Sequence, residues 1–209
     1  MLEQEAYILI KDKIIKGIYP AGSVLSEIAV SEELGMSRTP MRSAINKLCS
    51  EGFITQKKGH FSTVRTITPK DIHNFFEYCL IVEEYAIRKM YENKESSALD
   101  LIKQANEKQR LALENHNIDE YYIADHEYHM AFINYLNNEE ITTSIENMWE
   151  KISMITHAGH QNFKKEERNE AVTAHEQTYG MMNNMSPLEE VLKQVRAASE
   201  NAKRRLLLM

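Results

Sequence analysis

What this 209-residue chain lacks narrows its identity before any motif is read. There are two cysteines, Cys49 and Cys79, and no C-x-x-C spacing, so neither a disulfide framework nor a thiolate zinc site is indicated. Both thiols are expected to be reduced, in or near a core. No run of about 18 apolar residues occurs, which argues against a membrane-spanning helix. The opening stretch MLEQEAYILI carries two glutamates where a secretory leader would carry lysine or arginine, so the expected location is cytoplasmic, with no membrane partner. There is no G-x-S-x-G elbow, no H-E-x-x-H pair and no P-loop, and the enzyme classes built on those motifs lose their support. Internal repeats and low-complexity tracts are missing too. What remains is a chain with 43% hydrophobic residues, ordinary for a folded core and inconsistent with disorder or a fibre.

The net charge of −6 argues against a nucleic-acid partner until it is divided by segment. Residues 1–66 hold nine Lys/Arg against seven Asp/Glu, a balance of +2, and the rest of the chain carries −8. From position 38 the first segment presents Arg38, Arg42, Lys47, Lys57, Lys58 and Arg65, opposed only by Glu51. A cationic patch on an acidic protein is the footprint of a selective DNA reader that must not coat DNA indiscriminately.

The clearest boundary lies at residues 65–71, where an alternating stretch yields to Thr68-Pro69, a helix start with Asp71 in its first turn. Segments near 69–92, 96–115, 118–137, 139–158, 165–184 and 187–207 then show apolar residues at three- and four-residue spacing. Ser186-Pro187-Leu188-Glu189 reads as a capping-box start for the last of them. Six helices of about 20 residues favour an antiparallel bundle. Before the boundary, Ala6, Ile10, Ile14 and Ile18 make one stripe on a first helix that ends before Tyr19-Pro20-Ala21-Gly22. Ser26 caps a short second helix through Leu34, Gly35 ends it, and Ser37 opens a third helix to about Glu51. Phe53-Ile54-Thr55 and Phe61-Ser62-Thr63-Val64 flank Gln56-Lys57-Lys58-Gly59-His60, a hairpin with a basic tip. The predicted fold is mostly α: a winged helix-turn-helix with a small β-hairpin wing over residues 1–66, then an all-α helical bundle over 67–209.

At 100° per residue the third helix places Met41, Ala44, Ile45 and Leu48 on one side. Arg42, Thr39, Asn46 and Ser43 fall opposite, with Arg38 at the edge. Such a helix fits the major groove, where arginine donates two bonds to guanine and short polar side chains reach phosphates or base edges. Ser37 at its start sets free backbone N–H groups near a phosphate. A solvated polar face on an ordinary core helix is the plain alternative, and the helix-turn-helix setting with a basic hairpin outweighs it.

These residues resemble a known family. Ile14-Ile15-Lys16-Gly17-Ile18-Tyr19-Pro20-Ala21-Gly22, then Leu25-Ser26-Glu27, then Leu34-Gly35-Met36-Ser37-Arg38-Thr39-Pro40-Met41-Arg42-Ser43-Ala44-Ile45, then Leu48 and Glu51-Gly52-Phe53, are similar to the GntR family of bacterial regulators. The resemblance implies a transcriptional regulator, expected to act as a repressor, with Arg38, Thr39 and Arg42 as recognition-helix contacts. It also puts Gly59 at a wing tip that reaches the minor groove, beside Lys57, Lys58 and His60. Ile28 follows Glu27 where some relatives carry arginine, so no base contact is expected from that position.

The helical remainder resembles the FadR-like branch of the family, with an FCD-type domain that binds small carboxylates or acyl-CoA and often holds a divalent metal. Metal-binding members use an Asp-x-x-x-His pair on one helix and two later histidines. Asp125 and His129 supply the pair, four residues apart on one helix face with Tyr122, Phe132 and Leu136. His175, on a stripe with Val172, Tyr179 and Met182, falls where the second histidine belongs. The set suits Zn²⁺, Mn²⁺ or Ni²⁺. The third histidine would fall at Ala197 or Ala198. His157 or His160 could replace it, water or a ligand carboxylate could fill the position, or Asp125 and His129 could be hydrogen-bonded without metal. His116 and His126 are expected at the solvent or a helix end. Carboxylate-binding members carry an arginine four residues before a glutamate; here Cys79 precedes Glu83. Tyr78, Cys79, Tyr122 and Tyr179 are the candidate effector contacts.

Two rival readings are a metal-dependent hydrolase on a helical bundle and a DNA-binding dimer indifferent to any metabolite. The first lacks a general base beside the metal ligands. One winged helix neutralises few phosphates, so a homodimer on a pseudo-palindromic operator in double-stranded DNA is the expected working form.

Overall fold

The computed structural model describes residues 2–56, 61–93, 97–158 and 164–208. Those residues form nine α-helices and three short strands in two compact units. The first unit comprises residues 1–68 and 147–159, the second 69–146 and 160–209.

In the first unit α1 (Leu2–Ile15) buries Ala6, Tyr7, Ile10 and Ile14. The predicted stripe therefore holds for three of its four members. Ile18 lies beyond the helix and is 57% exposed, because Gly17 (φ +72°) turns the chain out of the helix after Ile15. β1 (Val24–Leu25) follows, then α2 (Glu27–Leu34), whose N-cap Ser26 accepts from Ala29 N at 3.4 Å. Gly35 closes it at φ +63°, a conformation that costs any residue with a Cβ. α3 (Arg38–Glu51) begins at Ser37, whose side chain makes no capping bond.

β2 (Ile54–Gln56) and β3 (Ser62–Val64) form the predicted hairpin, pairing Ile54 with Val64 and Gln56 with Ser62. The wing has a third member absent from the sequence reading. β1 pairs antiparallel with β3, Val24 opposite Thr63 and Leu25 opposite Ser62, so β3 is the central strand in the order β1-β3-β2. Two residues are too short to show alternation, and only tertiary pairing makes them a strand. One core joins α1, α2, α3 and the sheet through Ile10, Ile14, Leu25, Val30, Met41, Ile45, Leu48, Phe53 and Val64, and Met154 packs into it.

The remaining helices are α4 (Pro69–Asn93), α5 (Ser97–Glu114), α6 (Ile118–Tyr135), α7 (Glu139–Ala158), α8 (Lys165–Asn183) and α9 (Leu188–Leu207), close to the six predicted segments. Their starts are set by local bonds: Asn117 Oδ1 accepts from Glu120 N, and Asn138 Oδ1 accepts from Glu140 N and Ile141 N. The predicted capping box at Ser186 is not formed. Pro187 is the N-cap, without a side-chain bond, because Ser186 is engaged in the preceding turn, its N donating to Met181 O and its carbonyl accepting from Tyr91 Oη.

The second unit's core gathers Ala86, Ile87 and Met90 of α4, Ile102 and Ala105 of α5, Tyr128 and Phe132 of α6, Met182 of α8 and Val191, Leu192 and Val195 of α9. Arg196 forks onto Glu84 (2.6 and 2.8 Å), and Arg110 onto Glu176 (2.9 and 2.6 Å), tying α9 to α4 and α5 to α8. Among the described residues no helix is long and apolar enough to cross a membrane.

Candidate functional site

The first unit's candidate surface is one face of α3. Met41, Ala44, Ile45 and Leu48 are at most 2% exposed and hold the helix to the core. Ser37, Arg38, Thr39, Arg42 and Asn46 are exposed, and Ser43 is half-buried. Burial on one side and two arginines on the other follow from the 3.6-residue period of the helix. Lys47 lies over the Tyr7 ring at 3.8 Å, so its charge is partly engaged inside the unit. Ile28 is 47% exposed on α2. Lys57, Lys58, Gly59 and His60 lie outside the described residues.

The second candidate site lies among α4, α5, α6 and α8. One ligand atom each from Asp125, His129 and His175 lies within 4.8 Å of the others. A divalent ion bound by N and O ligands at about 2.0–2.2 Å needs those atoms roughly 3–3.5 Å apart. Small side-chain adjustments bridge that gap, so the donor set and its spacing fit a metal. Sequence spacing brought Asp125 and His129 together on α6; the fold adds His175 from α8.

Each of the three is held by a neighbour. Gln109 of α5, fully buried, donates from Nε2 to Asp125 Oδ1 at 2.7 Å and accepts at Oε1 from His175 Nδ1 at 2.9 Å. Glu83 of α4, also buried, accepts from His129 Nδ1 at 2.5 Å. Tyr128, one residue before His129, stacks on the His175 ring with centroids 3.8 Å apart and planes 14° apart. The electrostatics divide the two histidines. Burial would lower the pKa of His129, but the charge and hydrogen bond of Glu83 outweigh it and raise it. Burial, with the cations His129 and Arg205, holds His175 well below the usual range, so its ring stays neutral. Burial raises Asp125 against the pull of His129 and Gln109.

Of the predicted effector contacts, Cys79 is 6% exposed with its thiol pushed up by burial and by Glu83, while Tyr78, Tyr122 and Tyr179 are half-buried. Tyr122 is hydrogen-bonded by Arg168. His116 is exposed at the end of α5, and His126 is half-buried. The side chains of His157 and His160 lie outside the described residues.

Sequence reasoning missed Glu83 and Gln109 as partners, Tyr128 as a stacking surface and Arg205 as a nearby cation. It also missed Asn106, one turn before Gln109 on the buried face of α5. Asn106 is 4% exposed, and neither its amide N nor its O has a hydrogen-bond partner among the described residues. A polar residue on an otherwise apolar stripe was the available signal for Asn106 and Gln109.

Residues 2–64 match the model of the gntR family of bacterial regulatory proteins, and residues 74–189 match the FCD domain. An uncharacterized HTH-type transcriptional regulator from the ttuE-ttuC' intergenic region of Agrobacterium vitis is 28% identical over 61% of this chain and 77% of its own length. The gluconate operon transcriptional repressor of Bacillus licheniformis is 23% identical over 62% of this chain and 53% of its own. In fold, the chain is similar to a GntR-type regulator structure from Rhodococcus sp. RHA1, with a TM-score of 0.79, 19% identity and coverage of 98% and 97%. The chain belongs to the GntR family of bacterial transcriptional regulators, as a winged helix-turn-helix followed by an FCD domain.

Proposed function

We propose that this regulator binds double-stranded operator DNA as a homodimer and represses from it. The observation that carries the reading is the division of α3, four apolar side chains buried and Ser37, Arg38, Thr39, Arg42 and Asn46 exposed on the other side. Arg38 and Arg42 read base edges, while the start of α3 and the shorter side chains position the helix on phosphates. Selection from random DNA yields the operator. Arg42→Ala then weakens retention in a gel-shift titration at physiological salt by about 1–3 kcal/mol per half-site, and an unchanged titration defeats the assignment.

The FCD domain is the sensor. Asp125, His129 and His175 would hold one divalent ion, Zn²⁺, Ni²⁺ or Mn²⁺, supported by their mutual proximity and by the partners that hold each of them. Such an ion supplies a positive centre for an anionic ligand, and the proposed effector class is an organic acid. Tyr78, Cys79, Tyr122 and Tyr179 are proposed as its surroundings. Asn106 joins them, because an unpartnered buried amide costs about 1–3 kcal/mol per group and a polar ligand recovers it. Effector binding then changes operator affinity by its differential affinity for two arrangements of the dimer. Metal analysis of untagged protein finds one ion per chain, and added Zn²⁺ or Ni²⁺ raises the melting temperature. Well under one ion per chain without a thermal shift rejects the metal.

A further inference from the structure

We infer that Gln109 is the positioning residue of the metal site, a single amide that orients two ligands from different helices at once. The inference rests on the proposed metal at Asp125, His129 and His175. Its basis is the bonding of one side chain. A carboxylate accepts, so the Gln109 atom 2.7 Å from Asp125 Oδ1 is the amide nitrogen. The amide oxygen must then face His175, and a carbonyl oxygen can only accept, so Nδ1, 2.9 Å away, carries a proton. The lone pair is therefore on Nε2, the nitrogen directed away from Gln109. The same amide leaves Asp125 Oδ2 as the carboxylate atom available to a cation. One residue thus selects both the tautomer of one ligand and the oxygen of the other.

Gln109 is fully buried on α5, between α6, which carries Asp125, and α8, which carries His175. Tyr128 stacks on the His175 ring and fixes its plane, leaving the choice of tautomer to the amide. Glu83 plays the corresponding part for His129 by accepting from Nδ1. A ligand histidine held through its other ring nitrogen is a general feature of metal sites, and removing the holding group lowers metal affinity by about 10–100-fold.

The test uses the full chain and Zn²⁺. Gln109→Met keeps the size of the side chain and removes both bonds, whereas Gln109→Glu keeps the acceptor for His175 and removes the donor to Asp125. In metal-free wild type, nitrogen-15 NMR of the imidazoles shows His175 as the Nδ1–H tautomer. That preference persists in Gln109→Glu and is lost in Gln109→Met, with circular dichroism unchanged. Calorimetric titration shows Zn²⁺ binding to Gln109→Met weakened by about 10–100-fold. An Nε2–H tautomer in wild type overturns the inference, as does undiminished Zn²⁺ affinity in Gln109→Met. If Gln109→Met fails to fold, the tautomer in wild type and Gln109→Glu decides. Failure of wild type to take up Zn²⁺, with the Nδ1–H tautomer present, rejects the metal reading and leaves the role of Gln109 in fixing His175 standing.

Discussion

The two units hold their candidate chemistry in opposite ways. On α3 the side chains expected to work are exposed, and the fold's contribution is to anchor the far side of the helix. Around Asp125, His129 and His175 the working groups sit inside the bundle, each engaged by a neighbour on another helix. A surface reader can therefore be altered one residue at a time without disturbing the fold. An interior site couples every substitution to its neighbours.

That contrast can be broken experimentally. The largest effect is expected at the anchor: Leu48→Ala removes a fully buried side chain and costs about 2–5 kcal/mol of stability, measured by urea denaturation. A loss under 1 kcal/mol would mean the α3 anchor is not a packed core. Next comes the interior site. At a hundredfold excess over its dissociation constant, Zn²⁺ stabilises wild type by about 2.7 kcal/mol, and His175→Ala abolishes that thermal shift. A shift that survives in His175→Ala places the metal elsewhere. Arg42→Ala is expected to weaken operator binding by about 1–3 kcal/mol per half-site while leaving the melting temperature unchanged. A lowered melting temperature there would show that the exposed face is not independent of the fold. The smallest effect is at Gly35, where a Cβ meets nothing within 4 Å but the backbone is left-handed. Gly35→Ala is expected to cost about 1 kcal/mol by thermal melting, from backbone strain alone.

The same contrast explains what was legible in the sequence. The faces of α3 follow helical periodicity: the four predicted anchors are buried, and of the predicted polar positions only Ser43 is half-buried rather than exposed. Asp125 and His129 were legible for the same reason, being one turn apart on α6. Glu83 was not legible as a partner of His129, because 46 residues separate them and only the packing of α4 on α6 makes the pair. Gln109 lies 16 residues from Asp125 and 66 from His175, and no spacing rule relates the three. β1 escaped because two residues carry no period, and Ser186 misled because a local capping pattern was overridden by a turn that engages its backbone N–H and carbonyl. Local rules recover elements and faces; the partners of buried polar groups are set by tertiary packing.

Met154 has a practical consequence. It packs with Met41, Ile45 and Leu48 in one core, and Glu150 reaches Lys11 of α1 at 2.6 Å, although both residues come more than eighty positions after the wing. The reading head is thus assembled from two separate stretches of the gene. A shortened chain ending at residue 66 would carry every DNA contact proposed here yet lack a piece of the hydrophobic interior behind α3. Such a fragment is expected to melt lower than the same unit in the full chain, and to regain stability when a peptide spanning 147–158 is supplied in trans.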